Sequence, residues 1–217
     1  MKILLTSVAW EKNQEIGREF LNLVGKKPSK IKVSVVSTAE EKDKDWKWVK
    51  FTIKELEKIG VSKENVSIFS LNRKIKREEL KNVDVIYVCG GNTFVYLDKI
   101  RKTGLDKIIK ELVKRDKVYF GVSAGSYVAC PTIEVATWKH ADANTINLKN
   151  LTGLALVPFW LKAHFRKEYR SIIEKAAKRT KYPIIALRDN QAVLVNDKKV
   201  KIIGPGKKIT FNLPNRF

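Results

Sequence analysis

An α/β fold with a mostly parallel central sheet is predicted by two features of the sequence. Short β-branched and aromatic runs alternate with amphipathic segments of helical spacing between residues 2 and 130, a pattern typical of β-α-β units. The run at 83–89 is apolar enough for a strand buried on both faces, as parallel strands between two helical layers are. We therefore expect a three-layer sandwich in which residues 1–217 form a single domain.

The predicted elements extend along the whole chain. Strands are expected at 2–6, 32–37, 66–71 and 83–89, and helices at 11–24, 45–59, 77–81, 94–103 and 105–115. Gly60 supplies a stop signal for the second helix. A helix is expected at 166–179, and short runs follow at 184–189, 192–196, 200–203 and 208–211. These four runs, separated by turn residues, predict an antiparallel edge that completes the sheet.

Charge is the most unusual feature of the composition. Lysine and arginine number 44 against 23 aspartates and glutamates, for a net charge of +21 at pH 7. A basic chain of this kind can bind nucleic acid, but the lysines are spread over every helix and turn and alternate with glutamate, as in 54–59. We interpret them as a solvated surface and regard nucleic-acid binding as the weaker alternative. A positive field would still attract anionic substrates.

Cysteine usage and hydropathy limit the cellular context. Cys89 and Cys130 lie in apolar runs without the spacing of metal ligands or of a disulfide framework, so we expect buried thiols and no metal or other cofactor. The first residues resemble a strand rather than a signal peptide, and no run reaches membrane-spanning length. A cytoplasmic protein without a membrane partner is therefore expected, and the sequence leaves a homodimer open.

The segment 118–130, VYFGVSAGSYVAC, contains a Gly-X-Ser-X-Gly centre between a strand pattern and a helix pattern. Such a turn holds a serine hydroxyl exposed at the carboxyl edge of a sheet, where only small neighbours fit. The amides at the start of the following helix would stabilise negative charge on an attacked carbonyl. Ser123 is therefore the predicted nucleophile.

A second glycine turn, 90–94 (GGNTF), follows the fourth predicted strand. The carboxyl edge of parallel strands is where α/β sheets bind ligands. The turn at Ser123 should lie on the neighbouring strand, so the two turns are expected to form one site. The amides of Gly91 and Ala124 are the predicted oxyanion donors.

A serine nucleophile needs a base, and the chain has two histidines. His164 ends an apolar run that could hold the ring rigidly over the sheet edge, whereas His140 lies in a polar segment. We favour His164. A carboxylate must orient the imidazole, and the candidates are Asp142, Asp189 and Glu134, among which the residues alone do not choose.

Three motifs, 90–94 (GGNTF), 121–133 (GVSAGSYVACPTI) and 163–165 (AHF), occur in the order found in the aspartyl dipeptidase (peptidase E) family, which the chain resembles over nearly its whole length. The resemblance implies a class I glutamine amidotransferase-like (flavodoxin-like) fold, with Ser123 as nucleophile, His164 as base and no metal. The family's triad acid lies between these two residues, and Asp142 is its best match, although the expected offset falls closer to Trp138. Asp189 is the alternative.

The combined expectation is a serine peptidase that cleaves small peptides, in particular dipeptides beginning with aspartate. An anionic side chain would need polar or cationic partners, for which Asn92, Arg166, Arg188 and Lys162 are near the predicted site in sequence. The alternative is a catalytically inactive relative that binds a small ligand or a partner. An α/β-hydrolase esterase would place a histidine near the carboxyl terminus, and none follows His164. A glutamine amidotransferase would need cysteine in place of Ser123.

Overall fold

The computed structural model describes residues 1–138 and 142–213. A seven-stranded sheet lies at its centre. Its strands are β1 (Lys2–Thr6), β2 (Val33–Ser37), β3 (Val66–Ser70), β4 (Val85–Val88), β5 (Val118–Val122), β8 (Ala192–Asn196) and β9 (Lys199–Ile203). They lie in the spatial order β3-β2-β4-β5-β1-β8-β9; the first five of that order are parallel, and β8 and β9 pair antiparallel. The mostly parallel α/β sheet predicted from the alternating pattern is confirmed.

Six α-helices occur among the described residues. They are α1 (Gln14–Val24), α2 (Trp46–Lys58), α3 (Thr93–Thr103), α4 (Leu105–Lys114), α5 (Ala124–Ala129) and α6 (Arg170–Ala177). The first begins three residues later than predicted because Asn13 caps it, its side chain accepting a hydrogen bond from the amide of Glu15. The expected helix at 77–81 is a short 3-10 turn, and no described helix is long and apolar enough to cross a membrane.

A second, three-stranded sheet corrects the expectation that all the late strands extend the main one. It consists of β10 (Ile209–Phe211), β7 (Ile184–Ala186) and β6 (Trp160–Lys162), in that order. β6 and β7 are parallel, with Lys162 opposite Ala186. The residues that follow each of these strands therefore emerge side by side at the same end of the small sheet.

The carboxyl ends of β4, β5 and β1 lie side by side in the main sheet. Val88 is opposite Gly121, and Thr6 is opposite Val122. The glycine turn after β4 and the serine turn after β5 therefore lie on neighbouring strands, as predicted. The carboxyl edge of the parallel strands is also where α/β sheets commonly bind ligands.

Candidate active site

Ser123 occupies a strained turn between β5 and α5. Its φ and ψ angles are +50° and −107°, a combination that a non-glycine residue adopts only where its surroundings enforce it. The amide of Ser123 donates to the carbonyl of Thr6 on the neighbouring strand, and its carbonyl accepts from the amides of Ser126 and Tyr127. Strand and helix thus hold the residue from both sides, with the hydroxyl at the sheet edge.

Gly125 allows the nucleophile helix to approach the sheet. A Cβ atom at this position would overlap the carbonyl oxygen of Val88 on β4. The second glycine of the Gly-X-Ser-X-Gly motif is therefore required by backbone packing. The buried side chain of Ser126 also holds the helix against the sheet, since its Oγ lies 2.8 Å from the carbonyl oxygens of both Thr6 and Gly121 and donates its one proton to either of them.

His164 follows β6 and is also held in an unusual conformation. Its φ angle is +53°, and its amide donates to the hydroxyl of Ser7 at 3.0 Å. Ser7, which is 1% exposed, lies just after β1 and donates in turn to the carbonyl of Leu187. The role of Ser7 was not predicted, because a serine after a strand gives no local signal that it supports a distant histidine.

Asp189 lies in the turn after β7. The parallel pairing of β6 with β7 continues beyond the strands, since Phe165 donates its amide to the carbonyl of Leu187. Gln191, which is 1% exposed, secures the turn by accepting from the amide of Arg188 and donating to the carbonyl of Pro205. This buried glutamine was likewise not predicted. The strand register and this turn together bring Asp189 beside His164.

The three side chains form a continuous hydrogen-bonded chain. His164 Nε2 lies 3.0 Å from Ser123 Oγ, and His164 Nδ1 lies 2.7 Å from Asp189 Oδ1. A carboxylate can only accept, so Nδ1 carries the proton and Nε2 is free to accept from the serine hydroxyl. This is the arrangement in which an imidazole can take the serine proton and return it to a leaving group.

Asp142 occupies a different place from the one expected for the triad acid. Its Oδ2 atom accepts a hydrogen bond from the Thr93 amide at 2.7 Å and another from the Thr93 hydroxyl. These contacts bind Asp142 to the first turn of α3, while Nδ1 of His164 pairs with Asp189. The structure therefore corrects the preference for Asp142 and brings the alternative acid, Asp189, to the histidine.

Two further triad candidates are Glu134 as the acid and His140 as the base. Glu134 is exposed at the start of a 3-10 turn, Glu134–Thr137. The alternative base, His140, lies outside the described residues. Of the two histidines, His164 is the one whose contact with Ser123 is described.

The glycine turn after β4, residues 90–94, lies beside Ser123. Gly91 has a φ angle of +152°, and a Cβ atom there would lie 2.9 Å from Cε2 of Tyr96. Asn92 caps α3, its Oδ1 accepting from the amides of Phe94 and Val95, and its Nδ2 donates to the carbonyl of Ala143. Asn92, a predicted substrate contact, thus has a structural role, although it also lines the cavity beside Ser123.

A cavity of about 650 Å³ extends from the serine toward α2, within the range of about 300–1,000 Å³ typical of small-molecule sites. Ser123, His164, Gly90 and Gly91 line one end of it. Cys89 also lines the cavity, but burial raises the pKa of its thiol to about 12. It is therefore protonated at neutral pH and is not a rival nucleophile.

The predicted cations do not line this cavity. Arg166 is exposed, and Arg188 donates to the carbonyl of Lys207 and lies over the ring of Phe165. Lys162 is 3% exposed, and its Nζ atom donates to the hydroxyl of Tyr127 at 3.3 Å. Burial lowers the pKa of Lys162, and the charge of Asp142 partly opposes that shift.

Comparison with known proteins finds peptidases that are similar to this chain in sequence. The chain is 31% identical over 174 residues to an uncharacterized peptidase of Listeria monocytogenes, covering 77% of this chain and 83% of that protein. It is 36% identical over 86 residues to peptidase E of Escherichia coli, covering 40% of this chain and 36% of that one.

Solved structures agree with the fold. A crystal structure described as a putative peptidase E protein from Listeria monocytogenes matches with a TM-score of 0.75 and 25% identity, covering 94% of this chain and 98% of that one. A peptidase from an acI-B1 Actinobacterium matches with a TM-score of 0.71 and 18% identity, covering 98% and 91%. The fold is therefore the class I glutamine amidotransferase-like fold expected from the motifs. Residues 3–203 match the model of peptidase family S51, and the chain belongs to that family.

Proposed function

We propose that this chain hydrolyses the amide bond of short peptides through an acyl-enzyme formed on Ser123. The observation that carries the proposal is the hydrogen-bonded chain from Ser123 through His164 to Asp189, with distances of 3.0 and 2.7 Å. Membership of a peptidase family supports the same reaction class. The proposed setting is a single domain of a cytoplasmic protein.

The proton transfers follow from the geometry. His164 Nε2 removes the proton of Ser123 Oγ as the oxygen attacks the peptide carbonyl, and Asp189 stabilises the imidazolium that results. The imidazolium then protonates the leaving amine, the C–N bond breaks, and an ester remains on Ser123. Water attacks that ester while His164 accepts its proton, and the proton returns to Oγ as the acid product leaves.

The negative oxygen of each tetrahedral intermediate is proposed to lie between the amides of Gly91 and Ala124. Gly91 follows β4, and Ala124 begins α5 directly after the nucleophile. Their strands are neighbours, and Gly91 and Ser123 line one cavity. Preorganised amides stabilise developing charge strongly, since removal of one such donor typically lowers turnover by about 100–1,000-fold.

The finer substrate assignment, dipeptides that begin with aspartate, stays a prediction based on the resemblance to peptidase E. It requires a cation near the acyl end of the substrate. Among the described residues that line the cavity, Lys44 is the one cation. The competing function is that of a divergent relative that binds a ligand without cleaving it.

Incubation of the purified protein with a mixture of synthetic dipeptides, followed by mass spectrometry of the released amino acids, tests the proposal. Hydrolysis should occur and should be lost in Ser123→Ala. Ser171→Ala is the matched control, because Ser171 is an exposed residue of α6. Equal hydrolysis by Ser123→Ala would refute the assigned nucleophile. Binding of dipeptides without any hydrolysis would favour the competing function.

A further inference from the structure

Residues of α2 form one wall of the cavity that Ser123 and His164 also line. Trp48, Val49, Phe51 and Thr52 project from this helix, and we call these four residues the α2 wall. Val49 and Thr52 are buried, Phe51 is half-buried, and Trp48 is 55% exposed. The side chains of the wall are therefore two aromatic rings, an isopropyl group and one hydroxyl, and Lys47, which is outside the lining, places its Nζ 5.3 Å from the centroid of the Trp48 ring.

Part of the remaining lining continues this apolar surface, alongside the polar residues Ser7, Ser37, Thr38 and Asn92. Tyr87, Cys89 and Val122, at the ends of β4 and β5, also line the cavity. Burial raises the pKa of the Tyr87 hydroxyl well above its usual value, and the Cys89 thiol is likewise protonated at neutral pH. Transfer of a carboxylate into such surroundings without a cation is strongly unfavourable. A large apolar side chain would instead gain free energy by leaving water.

The rim of the cavity has the opposite charge from the rest of the protein. Glu11, Asp43 and Asp45 are exposed on it, against one lining lysine, Lys44, and Glu11 also lies 3.8 Å from Nζ of Lys12. This excess of carboxylates occurs in a chain where basic residues outnumber acidic ones by 44 to 23. The rim therefore favours a cationic group on the ligand, such as a free α-amino group, and repels a carboxylate.

These two features specify which part of a peptide enters the cavity. The residue that supplies the attacked carbonyl in a dipeptide has both a side chain and a free amino group. The leaving residue instead has a free carboxylate, which the acidic rim would repel. The cavity therefore suits the first residue of the substrate, with its amino group at the rim and its side chain against the α2 wall.

We propose that this chain selects substrates whose first residue has a free amino group and a large apolar side chain, in place of aspartate. The inference rests on the proposed peptidase function and names the substrate class of the same site. Trp48 and Phe51 are its specificity determinants, and the rim carboxylates bind the amino group. The two rings contact edge to face, with centroids 6.3 Å apart, so they form one continuous apolar surface.

A panel of aminoacyl p-nitroanilides tests the specificity. The values of kcat/KM for the leucyl and phenylalanyl compounds should exceed that for the aspartyl compound by about 100-fold, a difference typical of a site that excludes an unpaired charge. N-acetylation of the leucyl compound should lower kcat/KM at least about tenfold, because the cation is then lost. An equal or higher value for the aspartyl compound, or failure to cleave any apolar compound, would overturn the inference.

Two substitutions test whether residues of the cavity determine the substrate preference. Trp48→Ala should raise KM for the phenylalanyl anilide, while Trp46→Ala, on the same helix but outside the lining, should leave it unchanged. Asp45→Lys should narrow the leucyl-to-aspartyl ratio about tenfold, while Glu41→Lys, outside the lining, should not. A ratio unaffected by both cavity variants would contradict the assignment.

Labelling with a fluorophosphonate, which reacts with an activated serine, separates this inference from the function on which it rests. If the protein is labelled at Ser123 but prefers the aspartyl anilide, the specificity inference alone fails. If the wild-type protein is neither labelled nor active on any anilide, the proposed peptidase function fails, and the inference fails with it. Both cavity variants should be labelled at the wild-type rate, because neither Trp48 nor Asp45 takes part in the proposed proton transfers.

Discussion

The carboxylate of Asp189 lies 2.7 Å from Nδ1 of His164, although 25 residues separate them in the chain. The contact exists because β6 and β7 run parallel in the small second sheet, so that the residues after each strand meet at one end. It fixes the tautomer in which Nε2 faces Ser123.

Replacement of the two candidate acids should therefore have unequal effects. Asp189→Asn should lower kcat about 1,000- to 10,000-fold, because the amide no longer stabilises the imidazolium or the required tautomer. Asp142→Asn should lower it less than about tenfold, since Asp142 binds Thr93 at the start of α3 and its loss removes hydrogen bonds to the fold only. Steady-state hydrolysis of a cleavable dipeptide measures both. The reverse order of effects would restore Asp142 as the triad acid.

Gly91→Ala should lower kcat about 100-fold or more, with a smaller effect on KM. The added methyl group would lie 2.9 Å from the ring of Tyr96, and the φ angle of +152° disfavours a side chain. The turn must shift, and the proposed oxyanion amide shifts with it. Gly104→Ala is the control, because Gly104 also has a positive φ but open space around it. That variant should be less stable yet equally active. Full activity in Gly91→Ala would remove this amide from the oxyanion site.

Lys162→Met should raise the thermal midpoint by about 2–4 °C, equivalent to about 1 kcal/mol for a chain of this size. The lysine is 3% exposed, and burial lowers the pKa of its amine. A lowered pKa means that the folded state disfavours the charged form, so the destabilisation is present below that pKa and is relieved as pH rises through it. Methionine fills similar space without a charge. Calorimetry at pH 7 and pH 10 should show that the thermal midpoints of the variant and the wild type differ less at the higher pH. A lower midpoint for the variant at pH 7 would contradict this.

Asp84→Asn should make the protein less stable above pH 4 by about 1–3 kcal/mol. Burial acts to raise the pKa of Asp84, but hydrogen bonds from the Lys26 ammonium and the Lys32 amide lower it more, so the net shift is downward. Stability from a lowered carboxyl pKa is present above the unfolded value, about 3.9, and is lost as pH falls through the folded value. The free energies of unfolding of the two proteins, measured with urea between pH 3 and pH 7, should therefore become more similar as the pH falls. A constant difference across that range would argue against an ionised Asp84.

The sequence predicts the main sheet and the nucleophile because both depend on local patterns. Alternating runs specify the parallel strands, and small residues on both sides of Ser123 specify the turn. Glycine is required at position 125 of that motif because the backbone there lies against the Val88 carbonyl, where a side chain would not fit.

The remainder of the site depends on pairing between distant segments. β6 and β7 are three residues each, and β6 lies inside a long apolar run without periodicity, so neither its bounds nor its partner can be inferred locally. Asp189 was consequently one acid among three. Ser7 and Gln191 support His164 and the turn of Asp189 through buried hydrogen bonds, and such contacts become visible only when the backbone is known.

Mass spectrometry of the protein after reaction with a fluorophosphonate tests the central assignment most directly. A single adduct should appear on the peptide that contains Ser123, should be absent from Ser123→Ala, and should form much more slowly in His164→Ala. Labelling that persists at another serine in Ser123→Ala, or a rate independent of His164, would contradict the proposed nucleophile and base.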